Sequence, residues 1–185
     1  GAPNGATLAP AAPNAAAVPP PNAGAAPLQG RRGALPPGLL NNPNDPPDLR
    51  ELSEKETLEV IELVSKEFKV DDDRTYVMGH SMGGAGTLYL AIKYPQRWAA
   101  AAALAPAAFT VDAEGLKKIP KMPIMLVHGD MDTVVPVSVG RGWAAAMKAV
   151  PLKTYQYIEV PGGDHGTVID SHQAEVYAFF ARHKR

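Results

Sequence analysis

The sequence predicts an α/β domain in which a mostly parallel sheet is flanked by helices. Three observations indicate this class. Short apolar runs of strand length alternate with helical patterns, a glycine-rich turn joins the first strand to a helix, and two later strands end in polar loops. The expected strands lie at residues 75–79, 98–104, 123–128 and 154–160, and the expected helices at 53–68, 85–94 and 168–182.

The first 50 residues differ in composition from the remainder of the chain. Residues 1–47 hold 12 of the 19 prolines, and alanine, asparagine and glycine make up much of the rest. Proline donates no ladder hydrogen bond, so the proline runs at 9–13 and 18–21 cannot form inner strands. We therefore expect a Pro/Ala-rich irregular segment at 1–50 and one folded unit at 51–185.

The first regular element is expected to begin near Ser53. Residues 53–56 read Ser-Glu-Lys-Glu, which predicts a capping box at a helix start. An apolar face at near-helical spacing then follows, and an acidic cluster at 71–73 turns the chain toward the first strand. The residues of this face are Leu58, Ile61, Val64 and Phe68.

The turn after the first strand reads Gly-His-Ser-Met-Gly-Gly at residues 79–84 and fits the pattern G-x-S-x-G. In that pattern a serine occupies a strained strand-to-helix turn, which requires neighbours without side chains. A strand-like run precedes it, and a helical pattern that stops at Pro95 follows it. Ser81 is therefore a candidate nucleophile, and the adjacent His80 is expected to line the pocket around it.

A serine hydroxyl is a poor nucleophile at neutral pH, so it needs a histidine base and a carboxylate that orients the base. Two acids follow the strand at 123–128. Asp130 comes directly after a glycine, where it is expected to shape the turn by accepting from backbone amides. Asp132 lies further into the loop, where its side chain can reach across the strand ends. We favour Asp132 as the orienting acid.

The candidate base is His165, which lies among glycines in the loop at 161–166. This loop follows the strand at 154–160 and precedes the last helix. A base in this position can approach a serine at the end of another parallel strand.

The remaining histidines have other interpretations. His128 ends a strand in a hydrogen-bonded structural role, His172 falls inside the last helix, and His183 belongs to a solvated basic tail. None shows the spacing of metal ligands, so we expect neither a metal site nor a cofactor.

Together the motifs at 79–84, 128–136 and 162–166 resemble the α/β-hydrolase superfamily. They are most similar to its carboxylesterase branch, which is related to polyhydroxybutyrate depolymerases, feruloyl esterases and the prolyl-oligopeptidase catalytic domain. The resemblance covers roughly residues 47–180 and implies an α/β-hydrolase-type sheet. It implies these roles: Ser81 as nucleophile, Asp132 as acid, His165 as base and the backbone N–H of Met82 as an oxyanion donor.

The family pattern places several strands before the one that leads to the nucleophile. One of them supplies a second oxyanion donor, often in an H-G-G-G sequence. No such strand or motif precedes Ser53, so the chain is expected to lack the N-terminal strands. A missing N-terminal half is the favoured explanation, because residues 31–48 resemble the loop that precedes this helix in intact relatives. A homodimer through the open edge, or residues 1–50 lying over it, are the alternatives.

Composition excludes several classes of partner. The net charge of −1 gives no reason to expect nucleic acid, and no apolar stretch reaches membrane-spanning length. With no cysteine, the redox compartment stays open, and we expect a soluble protein for which secretion or a periplasmic location are both open.

The expected function is cleavage of a small-molecule carboxylic ester by a serine hydrolase. Two alternatives remain. The same residues serve a serine peptidase, and a hydrolase-like domain with weak or no turnover would act in binding.

Overall fold

The computed structural model describes residues 46–185. The expectations for residues 1–45, which concern their irregular conformation and their place along the sheet edge, lie outside the described residues.

A single four-stranded sheet forms the centre of the described region, with strand order β1-β2-β3-β4 and every neighbouring pair parallel. Its strands are β1 (Tyr76–His80), β2 (Ala100–Leu104), β3 (Ile124–Gly129) and β4 (Tyr155–Val160). This arrangement confirms the predicted α/β class with a parallel sheet. Because the strands run the same way, the loops that follow them meet at one edge of the sheet.

Within residues 46–185 four α-helices accompany the sheet: α1 (Leu49–Glu67), α2 (Met82–Lys93), α3 (Val137–Ala149) and α4 (Thr167–Ala181). Helix α3 was not predicted from the sequence. Its buried residues are Gly140, Trp143 and Met147. Only Trp143 and Met147 are large and apolar, so the helical spacing is weakly marked in the sequence. In the described part of the chain, no helix combines the length and apolar character needed to cross a membrane.

The core lies on both faces of the sheet because side chains alternate along each strand. On one face Ile124 and Leu126 pack with side chains of α2 and α3. On the other face Met125 and Val127 pack with α4. Strand β2 consists of four alanines and a leucine, all of them buried, so the small side chains of β2 lie between the two clusters.

The predicted capping box at Ser53 is wrong. Helix α1 begins four residues earlier, where the N–H of Leu49 donates to the carbonyl of Pro46 and the N–H of Leu52 donates to that of Asp48. Ser53 is therefore inside the helix, and its carbonyl accepts from the hydroxyl of Thr57. The carbonyls of Pro46 and Asp48 thus accept from the first amides of α1, and the helix begins before the Ser-x-x-Glu pattern.

Helix α1 buries little apolar side-chain surface against the rest of the domain. None of its residues is fully buried, and of the predicted apolar face only Leu58 and Ile61 are half-buried, whereas Val64 and Phe68 are 44% and 61% exposed. Within the described residues β1 pairs with β2 alone, so the other edge of β1 is unpaired there. What covers that edge stays a prediction.

A polar cluster connects α1 to α2. The carboxylate of Glu54 accepts from the Lys93 ammonium at 2.7 Å, from the Tyr89 hydroxyl at 2.5 Å and from the Tyr94 hydroxyl. These donors, Lys93 first, lower the pKa of Glu54 to about 2. Charged hydrogen bonds of this kind replace the apolar contacts that usually hold a helix against its domain.

We expect Glu54→Gln to loosen helix α1 selectively at neutral pH. The folded-state pKa of Glu54 lies below the usual 4.5, so its stabilisation is present above pH 4.5 and is lost as the pH falls toward 2. Amide hydrogen exchange should be about fivefold faster in α1 of the variant at pH 7, with α2 unchanged. Between pH 5 and pH 2.5, only the wild type should lose α1 protection.

Glu59→Gln is the matched control, because Glu59 lies on the same helix and contacts only Lys55, at 3.6 Å, among the ion pairs of the described residues. Equal loosening of α1 in both variants would contradict a specific role for the Glu54 cluster.

Candidate active site

Ser81 occupies the turn between β1 and α2 in a conformation that L-residues seldom adopt. Its φ is 57° and its ψ is −117°. The backbone is held there by three hydrogen bonds: Ser81 N–H donates to the carbonyl of Leu104, and its own carbonyl accepts from Ala85 and Ala107. Such strain persists only where surrounding contacts enforce it, and it is typical of a nucleophile elbow.

Close backbone approach explains why a glycine precedes the serine by two residues. A Cβ added at Gly79 would lie 2.3 Å from the carbonyl oxygen of Gly83, so the first turn of α2 leaves no space for a side chain. Gly83 itself has open space where its Cβ would be. Only the first of these two glycines is required by packing.

The loop after β3 presents Asp132, whose side chain is fully buried. Its Oδ1 accepts from the backbone N–H groups of Val134 and Val135, both at 2.8 Å. These two bonds fix the plane of the carboxylate and leave Oδ2 for a partner outside the loop.

Asp130 is directed to a different partner. Its Oδ1 accepts from the N–H of Gly162 at 2.7 Å, which connects the loop after β3 to the loop after β4. This is the turn-shaping contact with a backbone amide that the sequence predicts for Asp130.

His165 lies between Ser81 and Asp132. Its Nδ1–H donates to Oδ2 of Asp132 at 2.7 Å, and the Ser81 hydroxyl is 3.0 Å from Nε2. The structure therefore brings together the three residues that the sequence singled out. The histidine side chain is 19% exposed, so a substrate can reach this end of the arrangement.

The loop carrying His165 is stabilised by a carboxylate of its own. Oδ1 of Asp164 accepts from the N–H groups of Gly166 and Thr167 at the start of α4. Hydrogen bonds from Thr167, followed by the one from Gly166, lower the pKa of Asp164. The charged cap therefore holds the loop against the helix N-terminus.

His80 packs beside the candidate base. Its ring centroid is 4.4 Å from that of His165, and its Nε2–H donates to the carbonyl of His165 at 2.6 Å. Met82 is the first residue of α2 and its side chain is 62% exposed. The backbone N–H groups of a first helical turn have no intrahelical acceptor, so that of Met82 is available to an anion next to Ser81.

The other histidines lie apart from the serine. His172 is half-buried on α4 with Nδ1 2.7 Å from the Ser171 hydroxyl. The basic tail is exposed at Arg182, Lys184 and Arg185, as expected, whereas His183 itself is half-buried: its ring contacts Phe179 edge-on, and burial lowers its pKa. Over residues 46–185 no group of three His, Asp or Glu side chains could hold a metal ion.

His128 is completely buried at the end of β3, where its Nε2–H donates to the carbonyl of Val135 at 2.9 Å. The sequence predicted a hydrogen-bonded structural role. It did not predict that the same Nε2 lies 3.4 Å from Oδ2 of Asp132. The only sequence signal is the four-residue spacing between the histidine at the strand end and the acid in the following loop.

A parallel sheet with a strained serine after one strand, an acid after another and a histidine after a third defines the α/β-hydrolase class. Within that class the chain belongs to the esterase family, since the family model described as "Putative esterase" matches residues 11–182.

Individual relatives match shorter regions. Cutinase 2 of Thermobifida cellulosilytica is 34% identical over 98 residues, which are 52% of this chain and 35% of the cutinase. S-formylglutathione hydrolase of Bos taurus is 46% identical over 50 residues, 27% of this chain and 18% of the hydrolase. The solved structure of a thermostable esterase has a TM-score of 0.64 at 25% identity, over 72% of this chain and 37% of that one.

The chain spans about a third of the length of the matched cutinase and of the thermostable esterase.

Two glycine substitutions test the elbow geometry. We expect Gly79→Ala to lower the free energy of unfolding by about 2–4 kcal/mol, because its Cβ collides with the backbone of Gly83. Gly83→Ala, in open space on helix α2, should instead raise it by about 0.5–1 kcal/mol. Urea unfolding of both variants measures the difference. Equal destabilisation by both alanines would contradict the close approach as its cause.

Proposed function

We propose that this chain carries the catalytic residues of a serine hydrolase that cleaves carboxylic esters. The hydrogen-bonded series from the Ser81 hydroxyl through His165 to the buried Asp132 supports the proposal, with contacts of 3.0 Å and 2.7 Å. Membership of the esterase family supports the same reaction class.

In the first half-reaction, Ser81 Oγ attacks the ester carbonyl as His165 Nε2 takes the hydroxyl proton. Asp132 Oδ2 holds the Nδ1–H and stabilises the imidazolium that forms. The backbone N–H of Met82 stabilises the negative charge that develops on the carbonyl oxygen by donating a hydrogen bond to it. The intermediate collapses as His165 gives the proton to the leaving alcohol, and an acyl-enzyme remains on Ser81.

In the second half-reaction, water takes the place of the alcohol. His165 removes a proton from the water, whose oxygen attacks the acyl carbon. The tetrahedral intermediate then releases the carboxylic acid as the proton returns to Ser81 Oγ. No cofactor enters this cycle. His80 contributes by lining the site beside the His165 ring.

Apolar side chains stand exposed in the segments next to the three residues. Met82 follows the nucleophile, Met131 and Val134 flank Asp132, and these side chains are 51–63% exposed. Phe109 is 42% exposed in the segment whose Ala107 N–H donates to Ser81. An ester with an apolar acyl or alcohol part is the substrate class that fits such a surface.

A fluorophosphonate probe and p-nitrophenyl acetate test the proposal together. The probe should label the wild type at one residue, and Ser81→Ala should abolish labelling and reduce ester turnover to background, with a nearly unchanged thermal midpoint. Ser171→Ala, which changes an exposed serine of α4, is the control. Labelling that persists in Ser81→Ala would disprove the assignment of the nucleophile.

The two aspartates of the β3 loop provide a second prediction. Asp132→Asn should lower kcat by about 10⁴, because the amide cannot hold the imidazole in the required tautomer. Asp130→Asn should cost less than about tenfold, since its Oδ1 accepts from a backbone amide and not from His165. Steady-state kinetics on p-nitrophenyl acetate measures both. A larger loss at Asp130 would reverse the assignment of the acid.

The alternatives separate in the same measurements. A serine peptidase would be labelled by the probe and would also cleave peptide p-nitroanilides. A hydrolase-like binding domain would show neither labelling nor hydrolysis if it is inactive, and labelling with little hydrolysis if its turnover is weak.

A further inference from the structure

The buried imidazole of His128 has one occupied nitrogen and one without a partner. Its Nε2 is bonded to the carbonyl of Val135, and its Nδ1 has no hydrogen-bond partner among the described residues. Since a carbonyl oxygen only accepts, Nε2 must carry the ring proton. A proton on Nδ1 would be buried without an acceptor, which is costly. The surroundings therefore select the Nε2–H tautomer.

The same proton faces the acid of the hydrolase site. The Nε2–H donates to the carbonyl of Val135, and Oδ2 of Asp132 lies 3.4 Å from the same nitrogen, a longer electrostatic contact. An ionised carboxylate offers about four acceptor positions. Two on Oδ1 are filled by Val134 and Val135, and one on Oδ2 is filled by His165. The Nε2 edge of His128 is the polar group nearest the remaining position of Oδ2, on a carboxylate side chain that has no access to water.

Helix α3 keeps the imidazole in this position. A Cβ added at Gly140 would lie 2.5 Å from Nδ1 of His128, so the helix backbone packs directly on the ring. The ring cannot swing toward α3, and its Nε2 edge stays against the turn formed by Asp132 and Val135. Gly142, on the same helix, has open space where its Cβ would be.

We propose that His128 is a positioning residue for the proposed hydrolase: its Nε2–H holds the Asp132 carboxylate and the Val135 carbonyl in one geometry, so that Oδ2 stays aligned with His165. This role depends on the proposed function for its catalytic consequence. The hydrogen-bond arrangement itself can be measured without turnover.

The first test is the tautomer of His128 in the wild-type protein labelled with ¹⁵N-histidine. The chain has five histidines, so their ring signals can be assigned by single substitutions. Long-range ¹H–¹⁵N correlations should show the proton of His128 on Nε2 and an unprotonated Nδ1. A proton on Nδ1 would overturn the proposal, whether or not the protein hydrolyses esters.

The second test compares two amide replacements. In His128→Gln the amide nitrogen reaches the position of Nε2, whereas in His128→Asn it reaches only that of Nδ1. We expect His128→Asn to lower kcat on p-nitrophenyl acetate roughly tenfold with little change in KM, and His128→Gln to restore most of it. Equal losses in the two variants, or no loss in His128→Asn, would overturn the proposal.

Proton exchange at His165 provides a measurement that does not depend on ester hydrolysis. The His165 Nδ1–H proton should exchange with water about tenfold faster in His128→Asn than in the wild type, and it should be protected in His128→Gln. If no variant or wild type hydrolyses esters while this pattern holds, the proposed function fails and the positioning role stands. An unchanged exchange rate in a folded His128→Asn would exclude that role.

Alanine substitutions at two glycines of helix α3 test the position of the His128 ring. Gly140→Ala should displace the ring and reduce kcat as His128→Asn does, and Gly142→Ala should leave it unchanged. The ¹⁵N spectrum of Gly140→Ala should then show His128 without its fixed tautomer. Full activity in Gly140→Ala, with His128 displaced in that spectrum, would contradict the proposal.

Discussion

The carboxylate of Asp132 is the group on which the site depends. Its side chain is removed from water, and a buried charge is stable only when its acceptor positions are filled. The hydrogen-bond donors come from two places, the backbone of its own turn and His165 in the loop after β4, and the ring of His128 at the end of β3 lies 3.4 Å from Oδ2. Satisfying one carboxylate therefore requires the two loops to take their final positions together. Ser81, which contacts only His165 in this series, is placed by a separate set of backbone bonds.

Local sequence was sufficient for much of this arrangement. The apolar runs that form β2 and β3 are buried on both faces, and such strands read as continuous apolar runs in the sequence. Ser81, Asp132 and His165 were selected because each follows a strand, and a parallel sheet brings such positions to one edge. The choice between Asp130 and Asp132 also followed local chemistry, since an acid directly after a glycine favours bonds to backbone amides.

Other features depended on contacts that no short segment specifies. Helix α3 carries two glycines, which lower helix propensity, and Gly140 is there because the ring of His128 occupies the space beside it. Helix α1 starts at Leu49, where the carbonyls of Pro46 and Asp48 accept from its first amides, although the Ser-x-x-Glu pattern indicates Ser53. His128 and Asp132 are only four residues apart, but their contact also depends on the packing of the α3 backbone at Gly140 against the imidazole ring. These are tertiary effects that local propensity does not contain.

The alanine strand β2 has a consequence for how this fold can diversify. Its four alanines are all 0% exposed, with packed side chains on both faces of the sheet. A larger residue at any of them would have to push a neighbouring helix outward, at a cost that rises with each added methylene. The alanines therefore set the close spacing of the helices on the two faces of the sheet, and the loops at the strand ends are the places where side chains can grow without moving a helix.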